Sequence, residues 1–113
     1  MSVINSIKAV PLASFDTTGL SSSYQVINAG GFPNPICLIK VINNSNKDIT
    51  VSYDGINAHD FVPTLSSSVL NLQASNQPNN LMANMAKGTQ VWVKGAAGTG
   101  LVYLAAYFLN VVN

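Results

Sequence analysis

His59 and Asp60 are the one place where this sequence sets an imidazole beside a carboxylate. General acid–base catalysis needs such groups to converge on one reacting atom. Adjacent residues on a strand point to opposite faces, so this pair does not meet easily on a common ligand. The other carboxylates have structural explanations. Asp16 opens an Asp-Thr-Thr-Gly turn, Asp48 follows an Asn-rich stretch, and Asp54 stands before glycine in an Asp-Gly turn. A metal centre would need more ligands, and the chain has no second histidine and no glutamate. Cys37 is the only cysteine and sits in the apolar run Ile36-Cys37-Leu38-Ile39, where a buried, inert thiol is expected. It excludes an internal disulfide or a cysteine-based zinc site. Serines cluster at 21–23 and 66–68 without a Gly-x-Ser-x-Gly elbow. Gly95-Ala96-Ala97-Gly98-Thr99-Gly100 lacks the Gly-Lys-Ser/Thr ending of a phosphate loop and precedes a strand pattern. The expectation is no catalytic residue, no cofactor and no metal, hence no enzyme.

Composition points the same way. The 113 residues hold five lysines, four aspartates, no arginine and one histidine, so 8% are charged. A typical globular domain carries about 25%. Asn, Ser, Thr, Gln and Gly fill the difference, while 48% of residues are hydrophobic. Such a surface costs less to desolvate against a partner protein, and it repels its own copies less. The five scattered lysines give a net charge of +1, which argues against nucleic acid, since phosphate binding needs clustered Lys and Arg. The start, MSVINSIKAVPLA, lacks the pattern of a signal peptide, and the apolar run 101–109 is too short for a membrane helix. No membrane contact is expected. Asn43-Asn44-Ser45 matches a glycosylation sequon and is read as a chance match in a turn.

Any chemistry would have to be held by strands. Ile49, Val51 and Tyr53 alternate with Thr50 and Ser52, giving one apolar and one polar face. Asp54-Gly55 then suits a two-residue type I′ hairpin turn. The nearly continuous apolar run 36–42 predicts a strand covered on both faces, broken by the turn residues 43–47. Extending this reading predicts about eight strands, at 6–14, 23–29, 36–43, 48–54, 57–62, 67–73, 89–95 and 100–109. Residues 95–100 would link the last two as a hairpin loop. Pro11 puts the first strand at an edge or a bulge. The fold class is all-β: an antiparallel, jelly-roll-like β-sandwich forming a single domain over 1–113.

Residues 74–88 are the irregular exception, an excursion in which Leu81, Met82 and Met85 could form one helical turn. The segment serves either as a binding loop on a rigid scaffold or as a solvated crossover. Trp92 lies on the nominally polar face of its strand, with Gln90 and Lys94. It either is an interface anchor or lies under the excursion as a second small core. Tyr103 and Tyr107 share a face of the final strand and admit both readings. The candidate interface is therefore Trp92, Leu81, Met82, Met85, Tyr103 and Tyr107.

Two segments carry a resemblance. Val41-Ile42-Asn43-Asn44-Ser45 through Ile49-Thr50-Val51-Ser52-Tyr53-Asp54-Gly55 and His59-Asp60-Phe61-Val62-Pro63 resembles a pattern in small virion proteins of tailed bacteriophages. Lys87-Gly88-Thr89-Gln90-Val91-Trp92-Val93-Lys94-Gly95, with Gly98-Thr99-Gly100-Leu101-Val102-Tyr103, resembles the ending of the same proteins. The resemblance implies a β-sandwich virion component, either a capsid decoration (cement) protein or a neck or tail accessory protein. It implies residence in the virion after assembly in the host cytoplasm, and partners among the capsid, neck or tail proteins. The charge-poor surface, Trp92 on a polar face and the 74–88 excursion together predict a homo-oligomer, contacts with a larger virion protein, or both, made through 74–88, the segment before residue 15, or both. A trimer is the analogy with decoration proteins. The alternative from another class is a carbohydrate- or receptor-binding β-sandwich module using Trp92 and the polar loops.

Overall fold

The alternation of apolar and polar residues sets which face each central strand buries. A computed structural model describes residues 4–71 and 85–112 and contains nine strands among them. They are β1 (Ile4–Ala9), β2 (Ala13–Asp16), β3 (Gln25–Val26), β4 (Leu38–Ser45) and β5 (Ile49–Ser52). The rest are β6 (Asp60–Val62), β7 (Ser67–Asn71), β8 (Trp92–Lys94) and β9 (Gly100–Val112). Among the described residues the only helical element is a 3-10 turn at Thr17–Gly19, which Asp16 caps by accepting from the Thr18 amide.

The strands form two antiparallel sheets. The larger runs β1-β9-β4-β7, with β2 also paired to β9, and the smaller runs β3-β8-β5-β6. Only β1–β2 and β5–β6 are successive strands within one sheet. Every other connection passes to the opposite sheet, which is jelly-roll topology. Ile39 and Val41 of β4 and Val102, Leu104 and Ala106 of β9 face inward from the larger sheet. Ile49, Val51 and Val93 meet them from the smaller one, and Leu20, Phe32, Ile36, Val62 and Val91 complete the core. Burying each of these larger side chains contributes roughly 1.5–3 kcal/mol relative to leaving it exposed.

The differences from the expected strands have physical causes. The expected strand 6–14 is two, because β9 pairs Ala9 with Tyr107 but Ala13 with Leu104, which leaves one extra residue around Pro11. Pro11 is thus at an edge and at a bulge, where its missing N–H costs no ladder bond. Strand 23–29 contracts to Gln25–Val26 and 89–95 to Trp92–Lys94, while the last strand lengthens to Gly100–Val112. Strand 67–73 is present as Ser67–Asn71, with 72 and 73 outside the described residues. Residues 95–99 are not a hairpin loop. They carry the chain from β8 in the smaller sheet to β9 in the larger, and their glycines permit close passage beside Asp48 and Lys47.

Asp54-Gly55 is not a two-residue hairpin either. Val51 pairs with Asp60, so residues 53–59 form the β5–β6 connection. Gly55 does adopt the expected positive φ, +76°. Asn43, Asn44 and Ser45 belong to β4 rather than to a turn. Asn43 is buried, so the sequon cannot present its side chain for glycosylation. Of the excursion 74–88, residues 74–84 with Leu81 and Met82 lie outside the described residues. Met85 forms an isolated bridge with Ile36.

Candidate interaction surface

The connections β2–β3, β4–β5, β6–β7 and β8–β9 gather at one end of the sandwich, and side-chain hydrogen bonds fasten that end. The Asn43 amide donates to the carbonyls of Lys47 (2.7 Å), Val62 (3.0 Å) and Pro63 (3.2 Å). Its carbonyl accepts from the Ser45 hydroxyl at 2.6 Å. Asp48 accepts from the backbone N–H (2.8 Å) and hydroxyl (3.2 Å) of Thr64. Thr17 donates its hydroxyl to the Gly100 carbonyl at 2.9 Å. A buried polar group is tolerated when it is bonded in this way.

The residues with chemical potential have structural roles at the opposite end. His59 Nδ1 accepts from the Tyr53 N–H at 2.9 Å, and the two rings stack with centroids 5.6 Å apart. Its Nε2 lies 3.9 Å from Asp54 Oδ2. Asp54 accepts from the backbone N–H groups of Asn57 and Ile56, from the Asn57 side chain and from Ser52. Those bonds, led by the Asn57 and Ile56 amides, hold its carboxyl well below the usual range. Asp60 accepts from the N–H of Phe61 and from Ser68, and does not share a ligand with His59. Cys37 is buried, and burial pushes its thiol up. Among the described residues no three His, Cys, Asp or Glu side chains gather into a metal-binding group.

What remains is surface. The outward side chains of β4 and β9 form the centre of the larger sheet's outer face. Leu38 pairs with Tyr107, and Ile42 with Tyr103, all four half-buried. Lys40, paired with Ala105, is the one charge between them. The run 36–42 was expected to be covered on both faces. Among the described residues Ile36 is fully buried, while along β4 the Ile39 and Val41 side lies in the core and the half-buried Leu38, Lys40 and Ile42 side has no second sheet over it. Val69 of the neighbouring β7 stands opposite Lys40 and is exposed.

Beside Tyr103 lies a depression of about 540 Å³, lined by Ile42, Asn44, Leu65, Ser66 and Ser67 among others. Leu65 is 73% exposed and has φ +58°, the one positive φ at a non-glycine among the described residues. A leucine in that conformation costs roughly 1–2 kcal/mol. An exposed, strained apolar residue is the kind of outlier that marks a functional surface. Nothing in the Pro63-Thr64-Leu65-Ser66 sequence signals it, because its neighbours are ordinary turn residues. Of the sequence-derived candidates, Tyr103 and Tyr107 come together on this face. Trp92 belongs to the other sheet, half-exposed, with its ring against the backbone of Gly55. Met85 is packed against the core.

No protein-family model matches the chain, and no curated protein matches its sequence. Solved structures match its fold. The acid-stable capsid structure of Helicobacter pylori bacteriophage KHP30 is 8% identical, with a TM-score of 0.50, over 99% of this chain and 98% of that one. The extra small virus particle of the prawn Macrobrachium rosenbergii is 12% identical with a TM-score of 0.47, over 96% and 81%. A Bacillus endospore appendage structure is 12% identical with a TM-score of 0.44, over 95% and 88%. At these identities the likeness concerns the fold alone.

Proposed function

We propose that the chain is a structural protein of a tailed-phage particle, a decoration or cement protein that docks through the outer face of its larger sheet. The observation that carries this reading is the half-buried row Leu38, Ile42, Tyr103 and Tyr107, on the side of the two central strands that no second sheet covers among the described residues. Central strands that are apolar on both faces suit a sheet with both faces covered. The charge-poor composition lowers the cost of such covering, and the jelly-roll fold, shared with the KHP30 capsid structure, is compatible with it. The partners are copies of itself and other virion proteins, with a trimer as the first form to test. Sedimentation velocity from low to high salt, with and without particles, is the direct test. Association should be nearly independent of salt, because few charges carry it, and Tyr103→Lys should weaken it at least tenfold. A monomer that ignores particles at every salt concentration would remove the reading.

One observation favours a receptor- or sugar-binding role instead. A depression of about 480 Å³ is lined by Ser21, Ser22, Asp48, Thr50 and Lys94, with the Lys94 ammonium 4.7 Å above the Tyr24 ring. Hydroxyls, a carboxylate and a neighbouring aromatic suit a saccharide. A glycan array read against a Tyr24→Ala control separates the two.

A further inference from the structure

We propose that the outer edge of β1 pairs with the same edge of a second copy of this chain, antiparallel, about a two-fold axis at Ile7. This rests on the reading of the protein as an assembly subunit and names the strand that would join two of them. β9 is 13 residues long, yet β4 pairs only with Gly100–Tyr107. Among the described residues Phe108–Val112 pair with β1 alone. At about 3.3 Å per residue, β9 spans roughly 43 Å. The molecule measures 53 × 23 × 23 Å, so the strand runs along its long axis. β1 and the end of β9 thus form a two-stranded ribbon, and such a ribbon alone is marginally stable in water.

The register fixes which β1 backbone groups take no partner among the described residues. The Val10 N–H donates to the Ala106 carbonyl at 2.9 Å. Carrying the antiparallel alternation back from that pair turns the backbone groups of Lys8, Ser6 and Ile4 toward β9. Those of Asn5, Ile7 and Ala9 face away from it. Sheet edges are commonly protected by being short or by carrying proline. Three other edge strands are shorter: β3 has two residues, β6 three and β2 four, against six in β1. Pro11 ends the row of donors just beyond β1.

A second copy fits this edge because an antiparallel strand paired about a two-fold axis is its own complement. With Ile7 opposite Ile7, Asn5 falls opposite Ala9 and Lys8 opposite Ser6 of the second copy. The single charge on β1 therefore never faces itself, and nothing on the edge calls for a partner of opposite charge.

The test is disulfide trapping in the full chain with Cys37→Ala, after sedimentation confirms that this background behaves as wild type. In the proposed pair, Ile7→Cys brings two Cα atoms to about 5.5 Å, within disulfide reach. Lys8→Cys leaves them roughly 8 Å or more apart. Mild oxidation of dilute protein should convert the Ile7 variant to covalent dimer at least tenfold faster than the Lys8 variant. If the protein associates in sedimentation but the two variants cross-link alike, the β1 edge is wrong and the assembly reading stands. If the protein is a monomer and neither variant cross-links, both fall. Ile7→Pro, which removes one outward donor while sparing the bonds to β9, should weaken association without changing the Trp92 emission of the folded chain.

Discussion

Gly55 lies face-on against the ring of Trp92: a Cβ built on the glycine would come within 3.0 Å of Cε2 and 3.1 Å of Cδ2. Its φ of +76° belongs to the left-handed region. Two independent constraints therefore require glycine, one from the backbone and one from the ring. Gly55→Val should destabilise the fold by about 1–3 kcal/mol, because a β-branched residue resists that φ and also overpacks the ring. Thermal unfolding followed by the emission of the single tryptophan measures it, and an unchanged midpoint would refute the assignment.

Asn43→Ala should cost about 1–3 kcal/mol in denaturant titration, the range for stranding buried or part-buried carbonyls that its amide now satisfies. Asn43→Asp should be no better, since an ionised carboxylate would face those carbonyls without a proton to donate. A neutral outcome for both variants would mean that the corner is held by its backbone alone.

Acid should loosen the β5–β6 connection late. Asp54 titrates below its ordinary range in the fold, so its contribution is present above the unfolded carboxylate value near 4. That contribution is lost as pH falls through the depressed folded value. Trp92 emission should accordingly change in strong acid, and Asp54→Ala should lower the melting temperature at neutral pH. The gap between Asp54→Ala and wild type should narrow in strong acid, and a variant as stable as wild type at pH 7 would contradict this.

Leu65→Asn should raise the stability of the isolated chain by roughly 0.5–1 kcal/mol, because asparagine tolerates the left-handed region better. The same change should weaken association measured by sedimentation. Stability gained with association untouched would leave the strain at Leu65 without a functional reason.

The strand core from Ile49 to Ser52 was legible because its signal is local: period-two alternation needs no knowledge of the rest of the chain. Sheet membership was not. Gly95–Gly100 has turn chemistry that serves a hairpin and a crossing equally, and the choice is made by where β8 and β9 find partners far away in sequence. Asn43 misled for a related reason. Asparagine favours turns when its amide bonds locally, but here the amide reaches carbonyls 19 and 20 residues away. The candidate surface was half visible. The tyrosines were placed by alternation, whereas the exposure of the Leu38 and Ile42 side depends on how the two sheets of the described residues pack against each other. Leu65 was invisible, since strain has no composition.

The position of β9 has a consequence for how the protein is made. It is the last of the described strands to leave the ribosome, yet it is the strand to which β1, β2 and β4 all pair. Until residues 100–112 emerge, the larger sheet has no middle, and the apolar strand β4 waits with an unfilled edge. Closing pairs such as Ile4 with Val112 requires a loop of nearly the whole chain, the kind of contact that slows folding most. A nascent chain stopped before residue 100 should therefore be open to protease or chaperone, and protection should arrive abruptly rather than strand by strand.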